Sequence, residues 1–323
     1  MSKKYLLLLS LATLFAAGPV GASEPLLLVV SQSDNMLQVV NGKTLKTIEM
    51  VRTETGPHRV VASPDGKFAY VSEFGSNTNT IGIIDLKLLA RVGEINPKPQ
   101  YGPHDMVISA NGKHIYCTTE KSRSVSEIDR KTGKLTRSFF IDELGTHNLV
   151  LAPNQRTLFA SNTIGNNVSV IDLKVGRVVQ SVIADRGASG IAITPDGKTV
   201  WVANQGKQTI SVIDVTTMRR VKQFGCPGRP IDVLFTPDGK RAWVAAPAYG
   251  KAFVYDVATQ KELGSVRTGG TPIKLLLRPD GKRLFVANQQ ESTVAVIDPV
   301  NLKVVNTINS GRGPEGMAWT VRP

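Results

Sequence analysis

Short runs of β-branched and aromatic residues, separated by polar turns, recur along the whole chain beyond residue 22. Residues 190–224 show the pattern most clearly, with runs rich in Val, Ile and Thr at 190–194, 199–203, 209–213 and 220–224. Runs of this length and composition are typical of β-strands, and no helical periodicity is found beyond residue 22. The pattern therefore predicts an all-β fold, which restricts the architecture to a sandwich, a barrel or a propeller.

A turn sequence of the Pro-Asp-Gly-Lys type recurs six times along the chain. Proline presets one backbone dihedral angle and glycine supplies a positive one, so each copy predicts a tight hairpin turn. The copies are residues 63–67, 109–113, 152–156, 194–198, 236–240 and 278–282, and their final basic residues lie 46, 43, 42, 42 and 42 positions apart. A repeat of this length indicates a supersecondary unit that buries its apolar faces against its neighbours.

A residue that ends the third strand of each repeat keeps the same period. The series is Asp85, Asp129, Asp172, Asp214, Asp256 and Asp298, with Asn41 in the seventh place. Seven repeats of four strands predict an all-β, seven-bladed β-propeller of four-stranded antiparallel blades. Residues 26–30 match a second strand and 313–319 match a first strand, so the C-terminal strand is expected to join the N-terminal blade. The ring then closes without exposed edges, and residues 23–323 are predicted to form one domain.

The second strands of the repeats carry a recognisable motif. Residues 201–204 (WVAN), 285–288 (FVAN) and 70–73 (YVSE) each follow a Pro-Asp-Gly-Lys turn and precede a run that ends in Ile-Asp. With these motifs the chain resembles the YVTN family of β-propeller repeats, along the whole length beyond residue 22. That family includes YncE-like periplasmic proteins and is related to the haem-binding propellers of cytochrome-type nitrite reductases. The resemblance implies the fold and leaves the ligand open.

The first 22 residues have the pattern of a secretory signal peptide. Lys3 and Lys4 precede an apolar run at residues 5–17, and Val20 and Ala22 stand at the positions that a signal peptidase reads. We expect cleavage after Ala22 and export to the periplasm. The apolar run is short for a membrane span, so no transmembrane segment is expected in the mature chain, which is predicted to be a monomer.

Charge is distributed unequally between the two faces of the predicted propeller. The chain has 39 basic and 26 acidic residues, a formal net charge of +13. We call the face with the Pro-Asp-Gly turns the lower face and the opposite one the upper face. The lower face carries much of the basic excess, for example at Lys67, Lys113, Lys198, Lys240 and Lys282. This charge is compatible with a solvated surface or with an anionic partner on the lower face.

No disulfide is expected, because more than two blades separate the chain's two cysteines, Cys117 and Cys226.

Three of the four histidines occupy the same position of consecutive repeats. Nine residues before the final basic residue of each turn stand His58, His104, His147, Ser189, Ile231 and Ile273, and alignment of Gly-Pro segments places Glu315 at the seventh position. Each of these residues is predicted to lie where a first strand enters the channel from the upper face. Imidazoles beside a carboxylate are common ligands of zinc, iron and copper. His58, His104, His147 and Glu315 are therefore the candidate ligands.

Further polar residues are predicted near these four and would orient the ligands or contact a substrate. Arg59, Asp105 and Asn148 directly follow the histidines, and the loops after the second strands contribute Glu73, Glu120, Asn162, Asn204 and Asn288. Two other interpretations stay open at this point. The three histidines could be inherited through repeat duplication, or they could bind a polar ligand without a metal.

Three classes of function follow from these features. The first is a periplasmic binding protein whose ligand at the channel mouth is a small molecule, a metal ion (zinc, copper or iron) or a non-covalent haem-type cofactor. The second is a propeller enzyme, lactonase-like or a metal-dependent lyase, that uses the same cluster. The third is an interaction scaffold that binds an anionic partner on the lower face. Covalent c-type haem is excluded because the chain has no Cys-x-x-Cys-His motif.

Overall fold

The structure is a computed structural model, and it describes residues 23–323. Seven four-stranded antiparallel sheets form the blades of a propeller. Blade 1 begins with β1 (Glu24–Ser31), β2 (Met36–Asn41) and β3 (Thr47–Arg52). Blade 2 contains β4 (Pro57–Ala62), β5 (Phe68–Glu73), β6 (Thr80–Asp85) and β7 (Ala90–Ile95). Blade 3 contains β8 (Pro103–Ile108), β9 (His114–Thr119), β10 (Ser124–Asp129) and β11 (Leu135–Phe140).

The remaining blades repeat this order. Blade 4 contains β12 (Thr146–Leu151), β13 (Thr157–Asn162), β14 (Asn167–Asp172) and β15 (Arg177–Ile183). Blade 5 contains β16 (Ala188–Ile193), β17 (Thr199–Asn204), β18 (Thr209–Asp214) and β19 (Arg219–Gly225). Blade 6 contains β20 (Asp232–Phe235), β21 (Arg241–Ala246), β22 (Lys251–Asp256) and β23 (Glu262–Arg267). Blade 7 contains β24 (Pro272–Leu277), β25 (Leu284–Asn288), β26 (Thr293–Asp298) and β27 (Lys303–Asn309). Short 3-10 helices lie at Gln32–Asp34, Glu120–Ser122 and Pro247–Tyr249.

The last strand, β28 (Pro314–Arg322), completes blade 1 and closes the ring. It pairs antiparallel with β1, where Leu26 lies opposite Thr320 and Leu28 opposite Ala318. The predicted fold, including this closure, is confirmed. The predicted signal peptide at residues 1–22 lies outside the described residues. Between residues 23 and 323, no helix has the length and apolar character needed to cross a membrane.

The hydrophobic core lies mainly between neighbouring blades, where the apolar side chains of facing sheets meet. Trp201 of blade 5 packs edge-on against Phe235 of blade 6, with ring centroids 5.2 Å apart. Phe285 of blade 7 stacks on Trp319 of β28, with ring centroids 5.7 Å apart. Each blade therefore buries its faces against the next, as the repeat predicts. Both cysteines are buried and free.

The first strand of blade 5 begins earlier than predicted. The strand was expected at residues 190–194, but β16 begins at Ala188, whose pairing with Asn204 is followed by a bulge before Ile191. Gly190 lies inside this bulge rather than at the start of the strand. The position requires glycine because the neighbouring blade comes close: a Cβ atom at Gly190 would lie 2.4 Å from the carbonyl oxygen of Ile231.

We expect Gly190→Ala to lower the free energy of unfolding by about 1–3 kcal/mol, because the added methyl group meets backbone atoms of blade 6 that have no room to move. Gly225→Ala is the matched control, since a Cβ atom there finds nothing within 4 Å. Its expected effect is at most about 1 kcal/mol, and stabilising. Urea unfolding followed by circular dichroism measures both variants. Equal stability of the two would contradict the close approach of blades 5 and 6.

Candidate functional site

The first strands of the seven blades line the central channel and carry the candidate residues at equivalent positions. These strands contact one another around the ring, from β28 through β4, β8, β12, β16, β20 and β24. Their second residues include His58, His104, His147, Ser189, Ile273 and Glu315, and Ile231 directly precedes β20. We call these seven residues the upper ring. The repeat register therefore places side chains of very different chemistry at one level of the channel.

The three histidines lie side by side in the upper ring. The imidazole centroids of His58 and His104 are 5.0 Å apart, and those of His104 and His147 are 4.0 Å apart. His104 is only 2% exposed, whereas the other two are half-buried. The structure thus brings together the three imidazoles that the sequence places in register, with His104 in the middle.

Hydrogen bonds to backbone carbonyl groups define the tautomers of two of these rings. Nδ1 of His58 donates to the carbonyl oxygen of Gly56 at 2.8 Å, and Nδ1 of His104 donates to that of His147 at 3.2 Å. Each Nε2 therefore carries a lone pair. In His58 it accepts a hydrogen bond from the Gln32 amide at 3.0 Å. Backbone acceptors of this kind orient a histidine for metal binding through its other nitrogen.

Two carboxylates complete the cluster. Glu315 is 8% exposed, and its Oε1 accepts a hydrogen bond from Nη1 of Arg59 at 2.8 Å. Glu120 approaches the other side, with Oε2 3.9 Å from Nδ1 of His147. Two sets of potential ligand atoms result: His58 with His104 and Glu315, and His104 with Glu120 and His147. Within each set, the ligand atoms all lie within 4.8 Å of one another.

Burial keeps the imidazoles of His104 and His147 uncharged. Burial, together with nearby positive charges, first that of Arg59, lowers the pKa of His147 from 6.5 to about 3. Burial also lowers the pKa of His104 well below 6.5, with smaller contributions from the neighbouring His147 and Arg59. Neutral imidazole is the form that binds a metal ion, because the protonated ring has no free lone pair. These two rings are therefore in their ligand form at neutral pH.

The next residue along each first strand belongs to a second layer, directly beneath the upper ring. We call it the charged layer, because four of its seven residues have charged side chains. The layer contains Arg59, Asp105, Asn148, Gly190, Asp232, Lys274 and Gly316. Nε of Arg59 lies 3.8 Å from Oδ1 of Asp105, and Nζ of Lys274 lies 3.0 Å from Oδ1 of Asp232. Together with Glu315 the site holds three carboxylates and two cationic side chains. Its net charge is negative, which favours a cation in the ring above.

The other predicted residues are placed differently. Glu73, Asn162, Asn204 and Asn288 are fully buried, and the Glu73 carboxylate and the three side-chain amide nitrogens form hydrogen bonds around the loops that follow the second strands. Glu73, for instance, accepts hydrogen bonds from the Glu54 amide at 3.0 Å and the Thr80 hydroxyl at 2.7 Å. Of the five predicted loop residues, the structure brings only Glu120 to the histidines.

Three residues near the cluster were not predicted. Gln32, which bonds His58, directly follows the second strand of blade 1, just as Glu120 follows that of blade 3. Asp232 and Lys274 extend the series of Arg59, Asp105 and Asn148 around the ring. The repeat register contains the signal for all three, since each stands at the position of a residue already identified in another blade.

Comparison with known proteins identifies a sequence family and several similar structures. Residues 31–261 match the family described as "Lactonase, 7-bladed beta-propeller". No curated protein matches the sequence. Among solved structures, Kuenenia stuttgartiensis hydrazine synthase is similar with a TM-score of 0.76 and 20% identity, over 84% of this chain and 91% of that chain.

Two further structures have the same architecture. A functionally unknown protein from Desulfotomaculum acetoxidans has a TM-score of 0.79 and 15% identity, over 92% of this chain and 99% of that chain. Dihydro-heme d1 dehydrogenase NirN, solved in complex with DHE, has a TM-score of 0.70 and 16% identity, over 91% of this chain and 74% of that chain. At these identities the similarity shows the fold alone.

Proposed function

The chain belongs to the lactonase family of seven-bladed β-propellers, and from this premise we propose that it is an exported protein that binds a divalent transition-metal ion at the upper mouth of its channel. His58, His104, His147, Glu315 and Glu120 are the ligand candidates, and zinc, copper and iron are the metals that such nitrogen and oxygen ligands suit. We take zinc as the test ion.

The position of His104 carries this proposal. It is buried at the centre of the cluster, its Nδ1 is occupied by a backbone carbonyl group, and it is the residue that both sets of potential ligands share. Its neutral state and the neighbouring carboxylates of Glu315 and Glu120 both favour a cation.

We expect metal-free protein, incubated with zinc and passed through a desalting column, to retain about one zinc ion per chain. The protein is purified without a metal column or histidine tag, and elemental analysis measures zinc and protein sulfur together. His114→Ala is the matched control, because His114 begins β9 at the opposite end of the first two strands of its blade. That variant is expected to retain as much zinc as the unmodified chain.

Retention of only trace zinc by a correctly folded chain would contradict the metal site. Equal losses in His114→Ala and in variants of the upper ring would do the same, because binding would then be non-specific. Copper and iron are compared under identical conditions, and the preferred ion identifies the metal.

Membership of the lactonase family favours a second function, hydrolysis of a lactone at the same site. In this reaction water adds to the lactone carbonyl, the ring C–O bond breaks, and the ring oxygen takes a proton to leave as the hydroxyl of a hydroxy acid. A bound metal ion would supply polarisation of the carbonyl. Zinc-loaded protein that releases acid from δ-gluconolactone above the spontaneous rate, with the excess lost in His104→Ala, would favour hydrolysis over binding alone.

The remaining expectations stay predictions. They are the monomeric state, the periplasmic location, a haem-type cofactor and an anionic partner on the lower face. None of them is required for a metal ion to bind at the upper ring.

A further inference from the structure

Three buried polar atoms around the charged layer have no hydrogen-bond partner within residues 23–323. They are Nε of Arg59, Oδ1 of Asn148 and Oε2 of Glu315. Arg59 and Glu315 are each 8% exposed and Asn148 is 3% exposed. Unpaired polar atoms at this depth cost free energy, so three of them on neighbouring first strands of the channel indicate a group that satisfies them. Glu315 already belongs to a metal set, whereas Arg59 and Asn148 do not.

Arg59 has a guanidinium nitrogen without a hydrogen bond. Nη1 donates to Glu315, whereas Nε, on the edge that it forms with Nη2, has no acceptor among the described residues. The nearest acid on this edge is Asp105, whose Oδ1 lies 3.8 Å from Nε. Both oxygens of Asp105 already accept backbone amides, of Met106 at 3.0 Å and of Leu149 at 3.0 Å. The Nε–Nη2 edge is the geometry that binds a carboxylate with two parallel hydrogen bonds.

The charges around Arg59 decide when such a carboxylate can bind. Glu315 and Asp105 flank the guanidinium on two sides, so a free anion entering the channel meets two carboxylates and one cation. A divalent ion held by the upper ring reverses this balance directly above Arg59. The carboxylate is therefore expected only when the metal is present.

Asn148 adds a second requirement. Its Oδ1 is an acceptor without a donor, and it lies in the same layer as Arg59, with one blade between them. A carboxylate alone cannot satisfy it, because a carboxylate has no hydrogen to donate. A hydroxyl group next to the carboxylate can, and the same pair of groups chelates a metal ion.

We propose that the site takes a small α-hydroxycarboxylate on its metal ion, with Arg59 binding the carboxylate and Asn148 accepting the hydroxyl hydrogen. This inference rests on the proposed metal site. It names the class of ligand that would join the metal.

Calorimetric titration of glycolate and acetate into zinc-loaded and zinc-free protein tests the proposal. We expect glycolate to bind the zinc-loaded protein and not the zinc-free protein. Arg59→Lys keeps a positive charge beside Glu315 but lacks the two parallel N–H donors of the guanidinium. Glycolate and acetate should therefore both bind about tenfold more weakly. Asn148→Leu should weaken glycolate about tenfold and leave acetate unchanged, because only glycolate has the hydroxyl.

Asn148→Leu is expected to fold, since it removes a buried carbonyl that has no partner. The zinc affinity of each variant is measured first, so that the two proposals are separated. A wild-type chain that binds no zinc overturns both. A chain that binds zinc but whose two variants bind glycolate within about twofold of wild type overturns only the hydroxycarboxylate site, because the metal alone would then account for binding.

Discussion

Replacing His104 by alanine is expected to weaken zinc binding by about 100-fold or more, the largest loss of any single substitution at the upper ring. His104 is the one residue shared by the two sets of ligand atoms. Its loss therefore leaves neither set complete. His58→Ala and His147→Ala each remove a ligand from one set only, and they are expected to lose about tenfold.

Competition with a chromophoric zinc chelator measures these affinities. His114→Ala serves again as the control, with an affinity equal to that of the unmodified chain. Far-ultraviolet circular dichroism and urea unfolding without metal show whether each variant keeps the fold. If the three ring variants lose affinity equally, His104 has no special position and the shared-ligand arrangement is wrong. If none of them loses affinity, the zinc lies elsewhere.

The metal-free protein is expected to lose about 4 kcal/mol of folding stability on acidification from about pH 7.5 to pH 5, about 2 kcal/mol for each of His104 and His147. Both histidines have a lower pKa in the folded chain than in the unfolded chain. Above the ordinary pKa of 6.5 both states hold neutral rings, and the full stability is present. As the pH falls below that value the unfolded chain takes up protons that the folded chain does not, so unfolding becomes easier.

This loss continues until the pH reaches the folded-state pKa, about 3 for His147. Glu120 opposes this loss of stability, because burial raises the pKa of its carboxyl in the folded chain. The opposing effect is weak, since the side chain is 32% exposed. Urea unfolding in the presence of a chelator, at both pH values, gives the free energies. His147→Gln is expected to remove about half of the pH dependence and His114→Gln almost none. A stability that is the same at both pH values would show that the imidazoles titrate normally and are not desolvated.

The blades and the upper ring could be predicted from the sequence because both depend on local patterns. Pro-Asp-Gly turns fix the register of the hairpins, and equal spacing from the turn carries His58, His104 and His147 to one level. The direction of side chains at the loops was harder to predict, because a shift of one residue along a strand points the side chain to the opposite face of the sheet. Glu73 is the last residue of its strand and points into the blade, whereas Glu120 stands one position later and reaches the histidines.

Individual side-chain contacts between blades could not be predicted from the repeat. The predicted closure of the ring places Glu315 beside blade 2, but it does not indicate that Arg59, 256 residues away, donates a hydrogen bond to it. Gly190 was expected to be the first residue of its strand. Its actual role depends on the backbone of the neighbouring blade, which sequence periodicity does not describe. The details of packing between blades therefore could not be predicted from local sequence patterns.

The strand that closes the ring also supplies a candidate ligand. Glu315 is the second residue of β28, while His58 and His104 belong to the second and third blades, so this set of potential ligands exists only after β28 has joined blade 1. Because β28 follows all the other strands of the ring in the sequence, the set is assembled only when the ring closes. A metal ion held there would stabilise the closed ring over any opened form by mass action. The ion would therefore hold β28 against the second and third blades, and its uptake would report that the ring has closed.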